Sequence, residues 1–154
     1  MDMSESFRAL MLTQDEDADG KGAVHAAVTN LSNDDLPEGG DVLIAVDYST
    51  LNYKDGLIIK GLGKLVRDYP HIPGVDLAGT VISSSDDRYK AGDQVVATGW
   101  RMGEIWWGGH AQRARIKADW LVPLPDGMTT RQVMAMGTAG LTAILSIMAL
   151  EKHG

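Results

Sequence analysis

Short runs of alternating apolar and polar residues, separated by glycine and proline, fill the first 127 positions and predict a succession of strands. Phe7 to Thr13 and Ala23 to Thr29 are two such runs. They flank the acidic turn Asp15-Glu16-Asp17-Ala18-Asp19-Gly20-Lys21-Gly22, so the chain is expected to open with a hairpin. In Asp41 to Ser49, Val42, Ile44 and Val46 point to one face and Leu43 and Ala45 to the other, which predicts a strand covered on both sides. Val75 to Ser83, Gln94 to Thr98, His110 to Lys117 and Trp120 to Leu124 complete the strand set, with Gly79 marking a bulge or a close backbone approach. Asn52 to Lys60 has the spacing of a short helix on which Tyr53, Leu57 and Lys60 share a surface. Pro70 and Pro73 hold the backbone extended into Gly74.

The period changes after Met128. Thr129 and Gln132 stand at capping-box spacing, followed by the apolar Val133, Met134 and Met136. A second helix is predicted from Thr138 to Leu150, with Leu141, Ile144, Leu145 and Met148 at helical intervals. Ile147, Ala149 and Leu150 make it apolar nearly all round, so it calls for burial on more than one side. Part of its partner surface is therefore expected outside these 154 residues. The fold class is mainly β with short helices, a closed or partly open barrel. The division expected is a barrel over 1–127 and connecting helices over 128–154.

Composition narrows the chemistry. The apolar share of 44% and charged share of 23% are those of a soluble globular domain. No cysteine is present, which removes disulfides, iron–sulfur clusters, cysteine-ligated zinc and thiolate nucleophiles. A net charge of −7 argues against a nucleic-acid partner. His25, His110 and His153 are too scattered to suggest a metal cluster, and His71, followed by Ile-Pro-Gly, is expected to orient a loop rather than carry protons. The acidic start is followed by too short an apolar run for a secretory signal, and no stretch approaches the length that spans a bilayer. A cytoplasmic protein with no membrane partner is expected.

The pieces Leu51-Asn52-Tyr53-Lys54-Asp55, Ile72-Pro73-Gly74-Val75-Asp76 and Ala91-Gly92-Asp93 stand in order along the chain. They are followed by Gly108-Gly109, Asp119-Trp120-Leu121-Val122-Pro123 and Gly137-Thr138-Ala139-Gly140-Leu141-Thr142-Ala143. This order resembles the zinc-independent medium-chain dehydrogenase/reductases, in particular the quinone oxidoreductase branch that includes acrylyl-CoA reductase. Zinc-dependent relatives have a cysteine at Asn52 and a His-Glu pair at Val75-Asp76, so the resemblance implies no metal.

The resemblance implies a GroES-like (chaperonin-10-like) catalytic barrel whose closing helices lead into a Rossmann domain that binds NADPH. No strand–turn–helix unit of that kind appears in these residues. The residues it places at the cofactor are Tyr53, Asn52 and Thr142. Each has a plain alternative: Tyr53 packed against the barrel, Asn52 capping the following helix, Thr142 bonded back to its own helix. The activity implied is hydride transfer from NADPH to a small conjugated acceptor, an enoyl thioester such as acrylyl-CoA or a quinone, by a homodimer when full length. The proton donor stays open between a side chain and water, so no catalytic residue is assigned, and without a cofactor domain the chain is expected to be inactive. The alternative is a non-catalytic barrel used in assembly. Around the site, Lys54 and Asp55 read as a local ion pair or an exposed helix start. Trp106 and Trp107 line a pocket or fill the core. Arg67, with Lys64 and Lys60, either meets a phosphate or forms a solvated loop.

Overall fold

The computed structural model describes residues 6–15 and 22–154; most of the acidic turn expected at 15–22 lies outside them. β1 (Phe7–Gln14) and β2 (Val24–Leu31) form the predicted hairpin, in register from Phe7 opposite Leu31 to Gln14 opposite Val24. A five-stranded antiparallel sheet follows, built from β3 (Val42–Ser49), β4 (Asp76–Ser84), β5 (Gln94–Thr98), β6 (Arg113–Ile116) and β7 (Val122–Pro123). Its spatial order is β6-β3-β4-β5-β7. β1 meets segments beside this sheet at two isolated bridges, Leu12 with His71 and Ala9 with Ala111. Hairpin and sheet together make the partly open barrel.

Alternation along the central strands decides which surfaces are covered. Val42 and Ile44 enter the main core with Leu77, Val81, Val95 and Ile116. Leu43 turns to the other face, beneath Phe7, Ala9, Met11 and Ile72. β3 is thus covered on both sides, as its pattern predicts, and the hairpin supplies the second cover. β4 and β5 also alternate: Leu77 and Val95 face the main core, while Ala78 and Val96 face Met134. That second face is where α2 (Thr130–His153) docks.

α1 (Tyr53–Ile59) is the predicted short helix, and its Ile58 is buried with Leu12 and Val66. Two expected strands are shorter in the structure. His110 to Gln112 lies outside β6 and pairs with β1, with only the Gln112 carbonyl still accepting from Val46 of β3, and a 3-10 turn over Ala118–Trp120 takes the start of the last strand. The two predicted helices are one element with an elbow at Gly137, whose φ of 51° and ψ of −157° are not helical. Thr129 caps it as its spacing predicts, accepting from the Gln132 amide at 3.2 Å. The first segment buries Thr130 and Met134 on the barrel. Beyond the elbow Ile144, Leu145, Met148 and Leu150 are exposed, Leu150 at 73%.

One expectation needs correction. An 18-residue window of α2 has a mean hydropathy of 1.9, and the helix is long and apolar enough, by length and composition, to cross a membrane. Its threonines, serine and glycines do not lower the average enough to exclude it.

Candidate functional site

The site is built where three elements meet: the end of β3, the start of α1 and the elbow of α2. Asn52 is the N-cap of α1, and the N3 residue Asp55 reaches back to accept from the Asn52 amide at 2.8 Å. Asp55 also accepts from the Val75 amide at 3.2 Å. It is fully buried, so the expected Lys54–Asp55 pair does not form. Lys54 turns instead to the buried Glu104, which also accepts from Arg101 Nε at 3.0 Å. Burial pushes Glu104 up, but the hydrogen bonds from Lys54 and Arg101 outweigh it and hold the carboxyl below its usual range.

Asp76 opens β4 and has no solvent exposure at all. Its Oδ2 accepts from Asn52 Nδ2 at 2.9 Å and from the Thr138 backbone amide at 3.0 Å, while its Oδ1 accepts from the Thr138 hydroxyl. The Thr138 carbonyl in turn accepts from the Thr142 hydroxyl at 2.8 Å. Asn52 and Thr142 are therefore linked by an unbroken chain of hydrogen bonds through Asp76 and Thr138. Tyr53, next to Asn52, extends its ring into solvent and is 85% exposed. Thr142 makes the helix back-bond that is its plain alternative, and Asn52 caps its helix. Neither local role prevents a second contact, because each oxygen has a further lone pair.

Carboxylates cannot donate, so the Asn52 amide nitrogen must face Asp76 and Asp55, and this fixes the side-chain orientation. Asp76 and Thr138 lie inside the motif pieces Ile72-Pro73-Gly74-Val75-Asp76 and Gly137-Thr138-Ala139-Gly140, but neither is given a role there. The signals for Asp76 are its place opposite the His-Glu pair of zinc-dependent relatives and a charge at the head of an apolar strand.

His110 lies beside this network, its Nδ1 3.1 Å from the Ser49 hydroxyl, which itself donates to the Asp76 carbonyl at 2.7 Å. Burial lowers the His110 pKa, against the pull of Asp55 and Asp76. His71 is lowered by burial too, against its bond to Gly103 and the charge of Asp68. Both Nε2 atoms are buried without a partner among the described residues. A histidine whose folded value lies below its unfolded one binds its proton more weakly when folded. Stability is then full above the ordinary value of 6.5 and falls as pH drops through the folded values. The urea midpoint is expected to decline between pH 7.5 and pH 5, and to decline less in a His71→Gln/His110→Gln variant.

Trp106 and Trp107 are half-buried and pack against the core. Trp106 packs on the main core, donates to the Arg115 carbonyl at 2.8 Å and meets Trp120 edge-on. Trp107 packs under the hairpin and donates to the Pro70 carbonyl. Among the described residues no three His, Asp or Glu side chains converge on a point that could hold a metal.

Residues 38–126 match the alcohol dehydrogenase GroES-like domain, and the chain belongs to that family. Within it the chain lies close to the zinc-independent quinone oxidoreductases and acrylyl-CoA reductases. It is 61% identical to the acrylyl-CoA reductase AcuI of Ruegeria pomeroyi over 96% of its own length and 44% of that protein's. The yhdH oxidoreductase of Salmonella enterica, solved in complex with NADP, superposes with a TM-score of 0.85 at 52% identity, over 94% of this chain and 43% of that one. The yhfP protein of Bacillus subtilis, solved with NAD bound, superposes with a TM-score of 0.88 at 46% identity, over 97% and 44%. The chain thus spans less than half the length of these relatives.

Proposed function

We propose that this chain is the catalytic wall of an NADPH-dependent reductase. The reductase moves hydride from the nicotinamide C4 to the β-carbon of a conjugated C=C bond in an enoyl thioester such as acrylyl-CoA, or to a quinone. For the thioester, the hydride forms the new C–H bond and the electron pair of the double bond moves onto the carbonyl oxygen as an enolate. A proton then adds at the α-carbon, and the cofactor leaves oxidised. The protein's part is to align the two carbons and exclude water.

The observation that carries this reading is the hydrogen-bond chain from Asn52 to Thr142. One Asn52 Nδ2 hydrogen and the Thr142 hydroxyl hydrogen are committed within it, and the second Nδ2 hydrogen faces Asp55 at 3.4 Å. What the two residues offer a ligand is oxygen acceptors, which match the two N–H donors of a nicotinamide carboxamide. Donation by Asn52 to a substrate oxygen is disfavoured for the same reason. The exposed ring of Tyr53 gives the cofactor an aromatic face or a hydroxyl at the rim.

On this reading residues 1–127 form the barrel and 128–154 begin the connection to a cofactor-gripping unit, which would cover the exposed apolar face beyond Gly137. A cytoplasmic homodimer of the full-length polypeptide goes with it. The test uses NADPH deuterated at C4 and a polypeptide of the relatives' full length. Deuterium is expected at the β-carbon of reduced acrylyl-CoA; with a quinone, whose hydroxyl hydrogens exchange with water, the readout is oxidation of the cofactor with a slower rate for the deuterated form. The faster acceptor names the subclass, and the 154-residue chain alone is expected to give no turnover. If the full-length polypeptide oxidises the cofactor with neither acceptor, the reading fails and the non-catalytic assembly barrel takes its place.

A further inference from the structure

We propose that Asp76 is a positioning residue: a buried carboxylate that latches the elbow of α2 to the N-cap of α1 and so sets Asn52 and Thr142 relative to each other. The link to catalysis rests on the reductase reading; the latch itself rests on geometry alone.

Three observations lead to it. The first is cost. Asp76 is fully buried, and the side-chain and backbone donors that reach its carboxylate, Asn52 Nδ2, Thr138 N and Thr138 Oγ1, are all neutral. A buried carboxylate without a cation is an expensive way to hold a strand end, and an apolar side chain would pack there more cheaply. What the carboxylate gains is the positive end of the helical segment that starts at Thr138, since it accepts the first amide of that segment.

The second is shape. The Gly137 backbone lies in a region open almost only to glycine. A Cβ there would stand 2.6 Å from Thr50 Cγ2 and 2.9 Å from Asp76 Oδ2. The elbow is moulded on this carboxylate and on the end of β3.

The third is connectivity. The donors come from positions 24 and 62 residues away from Asp76, at the starts of two different helices. Thr142 is bonded to Thr138 and moves with it. Any tilt of the second segment must therefore break a bond to the group that orients Asn52.

The test is made on the chain itself, without cofactor, so its failure leaves the reductase reading standing, and failure of the deuterium assay leaves the latch standing. Thr138→Val removes only the hydroxyl. It is expected to shift the Asn52 side-chain amide resonances and to speed exchange of the Thr138 amide about tenfold, with β3 and β4 amides unchanged. Asp76→Ala is expected to speed exchange from Thr138 to Thr142 about a hundredfold. Asp76→Asn is expected to rescue most of this, because its oxygen can take both N–H donors while its amide turns to the Thr138 oxygen. If Asp76→Ala does not fold, Thr138→Val and Asp76→Asn decide. Asn52 resonances that ignore Thr138→Val, or an Asp76→Asn variant no better than Asp76→Ala, would overturn the latch.

Discussion

Gly79→Ala is expected to lower the unfolding free energy by about 3–5 kcal/mol, a large part of the roughly 5–15 kcal/mol that holds a domain of this size. A Cβ at this position would stand 2.0 Å from the Ala45 carbonyl oxygen and 3.0 Å from Ile44 Cγ2. Gly79 sits opposite Val46, next to the register shift between Val46 and Tyr48. The obstacle is backbone on the paired strand, so no rotamer relieves it and the strands must part. These strands carry Ile44 and Leu77, two of the fully buried side chains of the main core. Urea unfolding followed by far-UV circular dichroism measures the loss; a midpoint equal to that of the parent chain would show that the approach is looser than the geometry indicates.

Asn52→Ala is expected to cut kcat/KM of the full-length reductase about a hundredfold, the scale of losing one well-placed polar contact in an enclosed site. Two losses combine. The carbonyl oxygen offered to the nicotinamide disappears, and Asp76 and Asp55 lose the amide nitrogen that stands 2.9 Å and 3.4 Å from their Oδ2 atoms. Asn52→Asp is expected to be worse in stability, because it sets a third carboxylate against two buried ones. Steady-state kinetics with NADPH, paired with a thermal unfolding curve for each variant, separates the two losses. An Asn52→Ala enzyme with parental kcat/KM would remove Asn52 from the cofactor wall.

Most of the fold was legible because its signals are local or periodic. The two faces of β3, the Thr129–Gln132 cap, the turn glycines and the close approach at Gly79 depend on neighbours within a few positions or on strand alternation. The missed boundaries share a cause. His110 to Gln112 is expected as strand, but it bends to pair with β1, and only the Gln112 carbonyl still accepts from β3. Gly137 reads as a break between helices because its sequence context cannot show that the axis resumes beyond an elbow.

The candidate site was legible only in part, and through resemblance to a family more than through pattern. Asn52, Tyr53 and Thr142 came from matched motifs. Asp76 and Thr138, which join two of them, lie in matched motifs too, but their role was not legible, because their partners lie far along the chain. Lys54 shows the same limit: its neighbour Asp55 is the obvious partner in sequence, and Glu104, 50 positions away, is the one it takes. Burial explains the difference, since Asp55 is enclosed beneath the N-cap where the lysine head cannot follow.

The central claim is that Asn52 and Thr142 together face the nicotinamide. Its most direct test is nuclear Overhauser contact between the nicotinamide ring and carboxamide protons of bound NADPH and the protein, in the full-length polypeptide with these side chains isotopically labelled. Contacts to both the Thr142 methyl and the Asn52 side-chain amide are predicted. A ring that contacts neither, while the adenosine end remains bound, would contradict the account.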